Sequence, residues 1–175
     1  MKFTIHGPFD VPRVGHLIDD SAKSKTAFWL SCDLHVPEIS SACGCYVFVI
    51  RKNKNARPWY IGLTTKKTFK GEVFGLHKIN HYNHAMAAVA IGKPQLYFLA
   101  KRTPGGKFQK PSANSLPAVE FLETFLFGVA LNQNSALRNS SNTKFLRNVV
   151  VPGVLNTPPG APKAAEKALR ADLGL

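Results

Sequence analysis

Two short runs of β-branched and aromatic residues lie close together in the chain and predict a β-hairpin. They cover residues 45–50 and 58–62, and runs of this length and composition are typical of buried strands. The segment between them, residues 51–57, is basic and rich in Asn without an apolar period, so an exposed loop is expected there. A third run, residues 94–100, predicts another strand.

Helical periodicity follows the hairpin. One long helix is predicted over residues 65–91. Its expected face, with positions at i, i+4, i+7 and i+11, is Phe69, Val73, Leu76 and Asn80. A second helix is predicted over residues 118–131, capped by Ser115 with Pro117 in its first turn. Because that segment is apolar nearly all round, burial between other elements is expected.

The remaining segments are predicted to be extensions of one core. Residues 1–42 form an N-terminal extension that packs on or completes the sheet, with short strands at 3–5, 26–30 and 33–36. Residues 43–156 form the core domain. Residues 157–175 form a Pro-rich linker and a short, peripheral charged helix. The order β, β, α, β, α indicates an α+β fold with a small, mainly antiparallel three-stranded sheet flanked by helices.

Length and composition limit the class of protein. The chain has 175 residues and is 45% hydrophobic, which suits a single globular domain. No apolar run reaches the 18 or so residues of a membrane span, and the first six residues lack the apolar core of a signal peptide. We therefore expect a soluble, cytoplasmic protein.

The charge balance changes this picture most. The formal net charge is +13, and residues 51–110 contain thirteen Lys or Arg against the single acid Glu72. A field of this sign attracts polyanions. A solvated surface that promotes solubility is the alternative, but the concentration of charge in one stretch favours nucleic acid. The residues expected to contact it are Arg51, Lys52, Lys54, Arg57, Lys66, Lys67 and Lys70.

The three cysteines do not form a disulfide framework. Cys43 and Cys45 with His35 nearby suggest zinc, but a second Cys pair at zinc-finger spacing is absent from the sequence. Buried thiols in a reducing compartment are the favoured interpretation for both and for Cys32.

A carboxylate in an apolar helix is the clearest chemical anomaly. Glu120 and Glu123 are the only charged residues between positions 118 and 131. Glu120 lies in the first turn, where the helix dipole favours an acid. Glu123 lies deeper, and burial of an unpaired carboxylate is costly. A bound Mg²⁺ or Mn²⁺ ion would supply the missing positive charge; an exposed edge or a salt bridge with a lysine is the alternative.

Each strand of the predicted hairpin has a Gly near its Tyr, in Gly44-Cys-Tyr46 and Tyr60-Ile-Gly62. This pair of motifs resembles the signature of the GIY-YIG nucleases, with Cys in place of the usual Ile. The order of parts in residues 43–142 is also similar: two Tyr on a hairpin, a helix with a basic residue, a helix with a metal-binding Glu, and a later Asn. Glu123 is followed by Leu126-Phe127, like the family's Glu-x-x-Leu-Ile pattern. Asn139 fits the family's Asn best, with Asn132 and Asn134 as rivals.

One departure concerns the family's helical Arg, since no Arg lies between Arg57 and Arg102. Lys78 with Tyr82 keeps the spacing of a basic residue and an aromatic partner four positions on. Lys70 and the pair His77 and His81 are the alternatives. Lysine neutralises a phosphate but lacks the bidentate fork of Arg, so activity is expected to be altered, weak or lost. His77, His81 and His84 could instead bind a metal by themselves, but a solvated polar face is the favoured interpretation.

The resemblance implies metal-dependent hydrolysis of phosphodiester bonds in DNA. It assigns removal of a proton from water to Tyr46, whose phenol ordinarily titrates near 10 and therefore needs nearby positive charge. Lys78 and one Mg²⁺ or Mn²⁺ ion on Glu123 would supply that charge. The implied catalytic set is Tyr46, Tyr60, His77, Lys78, Tyr82, Glu123 and Asn139. A non-catalytic nucleic-acid-binding module on the same scaffold is the alternative function. The sequence leaves open whether the substrate is single- or double-stranded, its sequence specificity and the oligomeric state.

Overall fold

A four-stranded antiparallel sheet lies at the centre of the protein. The structure is a computed structural model that describes residues 1–89, 91–138, 147–152, 154, 156–157 and 160–174. In chain order the strands are β1 (Lys2–Asp10), β2 (Arg13–Val14), β3 (Leu17–Ile18), β4 (Gly44–Lys52), β5 (Asn55–Thr64) and β6 (Lys93–Arg102). The sheet has the order β1-β6-β4-β5, and β2 and β3 form a separate ribbon. The α+β class is confirmed, but the sheet has four strands where three were expected.

The additional strand comes from the N-terminal segment, which completes the sheet. β1 pairs with β6 from Lys2 opposite Arg102 to Asp10 opposite Gln95. The strands predicted at 26–30 and 33–36 are wrong, because both lie in helix α1 (Ala22–His35). The Ser21 hydroxyl accepts a hydrogen bond from the Ser24 N–H and caps this helix.

The hairpin is longer and tighter than expected. β4 and β5 pair as far as Lys52 opposite Asn55, so only Asn53 and Lys54 connect them. Asn53 has φ of 55°, a left-handed conformation that Asn tolerates in tight turns. The exposed loop predicted over residues 51–57 is therefore wrong. Its residues are polar because this end of the hairpin is solvated and β5 is an edge strand, where charged side chains are common.

Two helices replace the single helix predicted after the hairpin. They are α2 (Phe69–Glu72) and α3 (Leu76–Ala87). Gly75 is extended, with ψ of 148°, and restarts the helix. This break rotates the apolar face: Leu76 is 75% exposed, whereas Ile79 and Tyr82 face the core. Phe69 and Val73 are buried as expected, but the placement of Leu76 and Asn80 on the same face was wrong.

Helix α4 (Pro117–Gln133) covers the second face of the sheet. The predicted span is confirmed within two residues, but burial all round is wrong. Val119, Phe127 and Leu131 are buried, whereas Phe121 and Phe125 are exposed. Helices α1 to α3 pack on the first face, where the Phe48 and Tyr82 rings stack with centroids 4.2 Å apart. The sheet is therefore sandwiched between helices.

The last described element, α5 (Ala164–Asp172), has no buried residue, as predicted for a peripheral helix. The three cysteines are free and buried, which confirms the interpretation as buried thiols. Among the described residues, no helix is both long enough and apolar enough to cross a membrane.

Candidate active site

Two tyrosines from adjacent strands lie side by side at the end of the hairpin remote from its turn. Tyr46 of β4 pairs with Gly62 of β5, and Tyr60 lies opposite Phe48. The rings of Tyr46 and Tyr60 have centroids 6.2 Å apart and are tilted by 30°. A Cβ atom on Gly62 would lie 2.3 Å from Cζ of Tyr46. The glycine two residues after the second tyrosine therefore makes room for the ring of the first.

Cys45 stands where the resembling family usually has Ile, and it connects the sheet to α4. Its thiol donates a hydrogen bond to the Val119 carbonyl at 3.3 Å, and burial raises its pKa well above the ordinary value. A neutral, buried thiol of this kind acts as a small apolar group with a weak donor. Cys45 therefore ties β4 to the first turn of α4.

Tyr46 is completely buried, with 0% exposure. Its hydroxyl has no hydrogen-bond partner within the described parts of the chain. Burial first, and then the neighbouring Tyr82 and Tyr60, raises the pKa of Tyr46 well above 10. The Tyr46 hydroxyl acts to lower the pKa of Tyr82, but the two hydroxyls do not reach hydrogen-bonding geometry. Tyr46 is therefore a neutral phenol in this conformation.

Tyr60 has a different electrostatic environment. It is 6% exposed, and burial raises its pKa, but the charge of Lys78 and a hydrogen bond with it act in the opposite direction. The ammonium nitrogen of Lys78 lies 6.0 Å from the ring centroid. The ring also stacks on that of His81, with centroids 5.1 Å apart. Of the two tyrosines, Tyr60 is the one whose ionised form has a nearby cation.

Lys78 is held in place by an acid that our sequence interpretation did not assign to the site. Its Nζ lies 3.2 Å from Oε1 of Glu72, and Glu72 also pairs with Lys67 at 3.5 Å. Burial alone would lower the pKa of Lys78, but Tyr60 and Glu72 raise it above the ordinary value. Lys78 therefore stays charged. The isolation of Glu72 as the only acid in residues 51–110 was the signal that could have identified it.

Lys70, the rival of Lys78, lies exposed on α2. Of the two lysines, Lys78 on α3 is the one that contacts Tyr60.

Glu123 lies on α4, partly buried, within electrostatic reach of the tyrosines. Burial raises its pKa, Lys78 lowers it, and Glu120 raises it further. In turn, the charge of Glu123 raises the pKa of both Tyr46 and Tyr60. Glu120 is exposed and accepts a hydrogen bond from the Ser115 hydroxyl at 2.9 Å. Ser115 does not cap the helix as predicted, since the capping position is Leu116.

Around Glu123, the described residues do not offer a metal ion a full set of protein ligands. Within the described residues, no group of three or more His, Cys, Asp or Glu could hold an ion. Mg²⁺ is commonly bound through one or two carboxylates, with water and substrate phosphate oxygens filling the other positions. Glu123 is a partly desolvated carboxylate that forms no salt bridge with the described part of the chain, which suits that single-ligand arrangement.

Two other members of the predicted catalytic set have defined positions. Tyr82 is fully buried, and its hydroxyl donates to the Val73 carbonyl at 3.1 Å, so the side chain supports the core beneath Tyr60. His77 is exposed and contacts His81, with the two Nε2 atoms 3.0 Å apart.

Asn139 lies outside the described residues. Its rival Asn134 is buried and donates to the Pro58 carbonyl at 2.8 Å, which ties the end of α4 to β5. Asn132 is exposed.

The predicted DNA-contacting residues fall into two groups. Lys66, Lys67 and Lys70 follow β5 at the tyrosine end. Lys52, Lys54 and Arg57 line a groove of about 880 Å³ beside Trp59, at the turn of the hairpin. Six residues separate Tyr46 from Lys52, which corresponds to about 20 Å along a strand. Arg51 is committed to internal contacts, because its Nε donates to Oε1 of Gln95 at 2.8 Å and its Nη2 to Tyr97 at 3.1 Å.

Arg138 is a functional candidate that the sequence interpretation did not identify. Its backbone N–H donates to the Trp59 carbonyl at 2.9 Å, which fixes it beside the edge strand β5. Its side chain is exposed, and its charge contributes to lowering the pKa of His81. The segment after α4 therefore brings a guanidinium group within electrostatic reach of His81.

Comparison with known proteins finds no match: no protein-family model, no curated protein and no solved structure is significantly similar to this chain.

Proposed function

We propose that this protein is a metal-dependent endonuclease that hydrolyses phosphodiester bonds in DNA. The ring of Tyr46 packs against that of Tyr60. The observation that supports the proposal is that Tyr60, Lys78 and Glu123 act electrostatically on one another. These residues come from three separate elements, β5, α3 and α4. The lysines that follow β5 provide positive charge beside them, as expected for a site that receives a phosphate backbone.

Each residue has a role that follows from its surroundings. Lys78, which Glu72 and Tyr60 keep charged, neutralises a non-bridging phosphate oxygen and stabilises the developing phosphorane. Tyr60 is better placed than Tyr46 to accept a proton from water, because Lys78 stabilises its phenolate. Tyr46 orients Tyr60 from below. Glu123 would hold one Mg²⁺ or Mn²⁺ ion, which supplies further positive charge to the scissile phosphate when bound.

The test is cleavage of supercoiled plasmid and of single-stranded DNA in Mg²⁺, Mn²⁺ or EDTA. We expect metal-dependent cleavage by the wild-type protein and its loss in Glu123→Gln, which removes the carboxylate charge with little change in volume. Glu120→Gln is the matched control on the same helix and should cleave like wild type. Cleavage that survives in Glu123→Gln but not in Glu120→Gln would move the metal ligand to Glu120. Cleavage in EDTA would exclude the metal-dependent reaction.

A non-catalytic nucleic-acid-binding module is the second candidate. Two observations favour it: the Tyr46 hydroxyl is completely buried, and the charge of Lys78 is already paired with Glu72. Binding would then rest on the lysines and on base stacking beside exposed aromatic faces. In this case the protein should retain DNA without cutting it in any metal, and its affinity should fall as salt concentration rises. An affinity that is independent of salt would contradict both candidates.

A further inference from the structure

Two histidines on the outer face of α3 are arranged as a pair. His77 and His81 are one helical turn apart, their rings are nearly perpendicular at 83° with centroids 4.4 Å apart, and their Nε2 atoms are separated by 3.0 Å. His77 is exposed and His81 is partly buried. Both Nε2 atoms are thus directed at a common region at the surface of the helix.

This separation matches the bite of two imidazoles on one metal ion. With metal–nitrogen bonds of about 2.0–2.1 Å, a 3.0 Å separation corresponds to a nitrogen–metal–nitrogen angle of roughly 95°. That angle is close to the right angle between neighbouring ligands in octahedral and square-planar complexes. Imidazole ligands suit Zn²⁺, Cu²⁺ and Ni²⁺, whereas Mg²⁺ prefers oxygen. An ion could be held with little change in either side chain.

The protonation chemistry also permits binding. In the present contact one Nε2 must carry a proton and donate it to the other. Moving that proton to Nδ1 of the same ring frees both Nε2 lone pairs without releasing a proton. Burial, followed by the charges of His77 and Arg138, lowers the pKa of His81, so this ring is neutral near pH 7. Lys78 also acts on His81, and the positive charges of Lys78 and Arg138 will weaken cation binding.

The position of His81 is fixed before any ion binds. Its ring stacks on Tyr60 at 5.1 Å between centroids with a tilt of 23°. A ligand that is already held in one orientation loses less conformational entropy on binding than a free surface histidine. This contact distinguishes the pair from two histidines that merely share a helix face.

We propose that His77 and His81 chelate one divalent transition-metal ion, Zn²⁺, Ni²⁺ or Cu²⁺, at the outer face of α3. This site is separate from Glu123 and does not depend on the proposed nuclease activity. Because His81 covers one side of Tyr60, an ion held there would add a positive charge beside the proposed active site.

Calorimetric titration of the full, metal-free chain with ZnCl₂ or NiCl₂ tests the proposal. We expect one ion per chain. His77→Gln and His81→Gln should each lower the affinity by more than about tenfold, because each removes a direct ligand. Even residues that only contact a metal ligand contribute about 10- to 100-fold to affinity. His84→Gln is the matched control on the same helix and should bind as the wild type does, since His84 makes no hydrogen bond to either ring. Circular dichroism and thermal melts establish that each variant is folded.

Titration with MgCl₂ is the second control. Any heat of Mg²⁺ binding should be the same in the wild type and in the two histidine variants. In NMR spectra, Ni²⁺ should broaden the ring signals of His77 and His81 before those of other histidines. The proposal is overturned if Zn²⁺ and Ni²⁺ do not bind, if binding persists in both pair variants, or if His84→Gln weakens it as much as they do.

Discussion

Replacing Tyr46 with Phe is expected to make the protein more stable, although Tyr46 is a proposed active-site residue. The side chain is completely buried and its hydroxyl has no hydrogen-bond partner in the described parts of the chain. Leaving a buried polar group unsatisfied costs about 1–3 kcal/mol. Tyr46→Phe removes that group and leaves the ring packing unchanged, so we expect the free energy of unfolding to rise by about 1 kcal/mol.

Tyr82→Phe is the matched control. Tyr82 is equally buried, but its hydroxyl donates to the Val73 carbonyl at 3.1 Å. Removing this hydrogen bond should lower the free energy of unfolding by about 1 kcal/mol. The two substitutions delete the same atom and are expected to act in opposite directions. For a protein of this size, a 2 kcal/mol difference corresponds to about 4–8 °C in melting temperature.

Urea unfolding measures both effects. The buried Trp29 and Trp59 report on unfolding through their fluorescence, and thermal melts give an independent value. If Tyr46→Phe destabilises the protein as much as Tyr82→Phe does, the Tyr46 hydroxyl is satisfied in solution and the reasoning is refuted. If Tyr46→Phe is more stable but cleaves DNA more slowly, the unsatisfied hydroxyl is kept for function at a cost in stability.

Three other changes test the site. Gly62→Ala should destabilise the protein by about 1–3 kcal/mol through overpacking, because its Cβ would lie 2.3 Å from the Tyr46 ring. In urea unfolding, this loss of stability should be smaller when Tyr46 is also replaced by Leu. An equal loss would mean that the Tyr46 ring is not the source of the strain. The folded state holds the pKa of Glu123 above its ordinary value of 4.5. Wild-type stability should therefore fall, relative to Glu123→Gln, as pH rises from about 4.5 through the raised pKa. In that range the folded state binds more protons than the unfolded state. A wild type that gains stability over the same range would show that burial does not raise the pKa of Glu123. Lys78→Ala should reduce the cleavage rate more than Lys70→Ala, because Lys78 contacts Tyr60; the opposite order would assign the basic role to Lys70.

Local patterns were sufficient for the parts of the fold whose structure depends on nearby residues. The three central strands and the span of α4 followed from composition and periodicity. The break between α2 and α3 did not, because Gly75 can continue or end a helix and only the packing of Ile79 and Tyr82 decides between them. Helix α1 was interpreted as strands for a related reason, since Phe28 and Trp29 suit a strand but are buried here on a helix.

The candidate site could be predicted residue by residue but not as an arrangement. Tyr46, Tyr60, Lys78 and Glu123 were identified from motif order. In the folded chain Tyr60 and Glu123 act on the pKa of Tyr46, and Lys78 acts on the pKa of Tyr60 and of Glu123. The partner that positions Lys78, Glu72, could not be assigned because it lies across the helix break. The complete burial of the Tyr46 hydroxyl is a property of tertiary packing, which a strand motif does not specify.

The pairing of β1 with β6 has a consequence for how the chain folds during synthesis. Lys2 pairs with Arg102 and Asp10 with Gln95, so β1 has no partner in the sheet until β6 has been made. At roughly 5–20 residues per second, the intervening 90 or so residues take about 5 to 20 seconds to synthesise. During that interval β1 is an unpaired strand beside a growing hairpin, which exposes it to chaperones and to pairing with other chains. The sheet closes late, and a chain that stops before β6 lacks the strand that joins its first element to the rest of the fold.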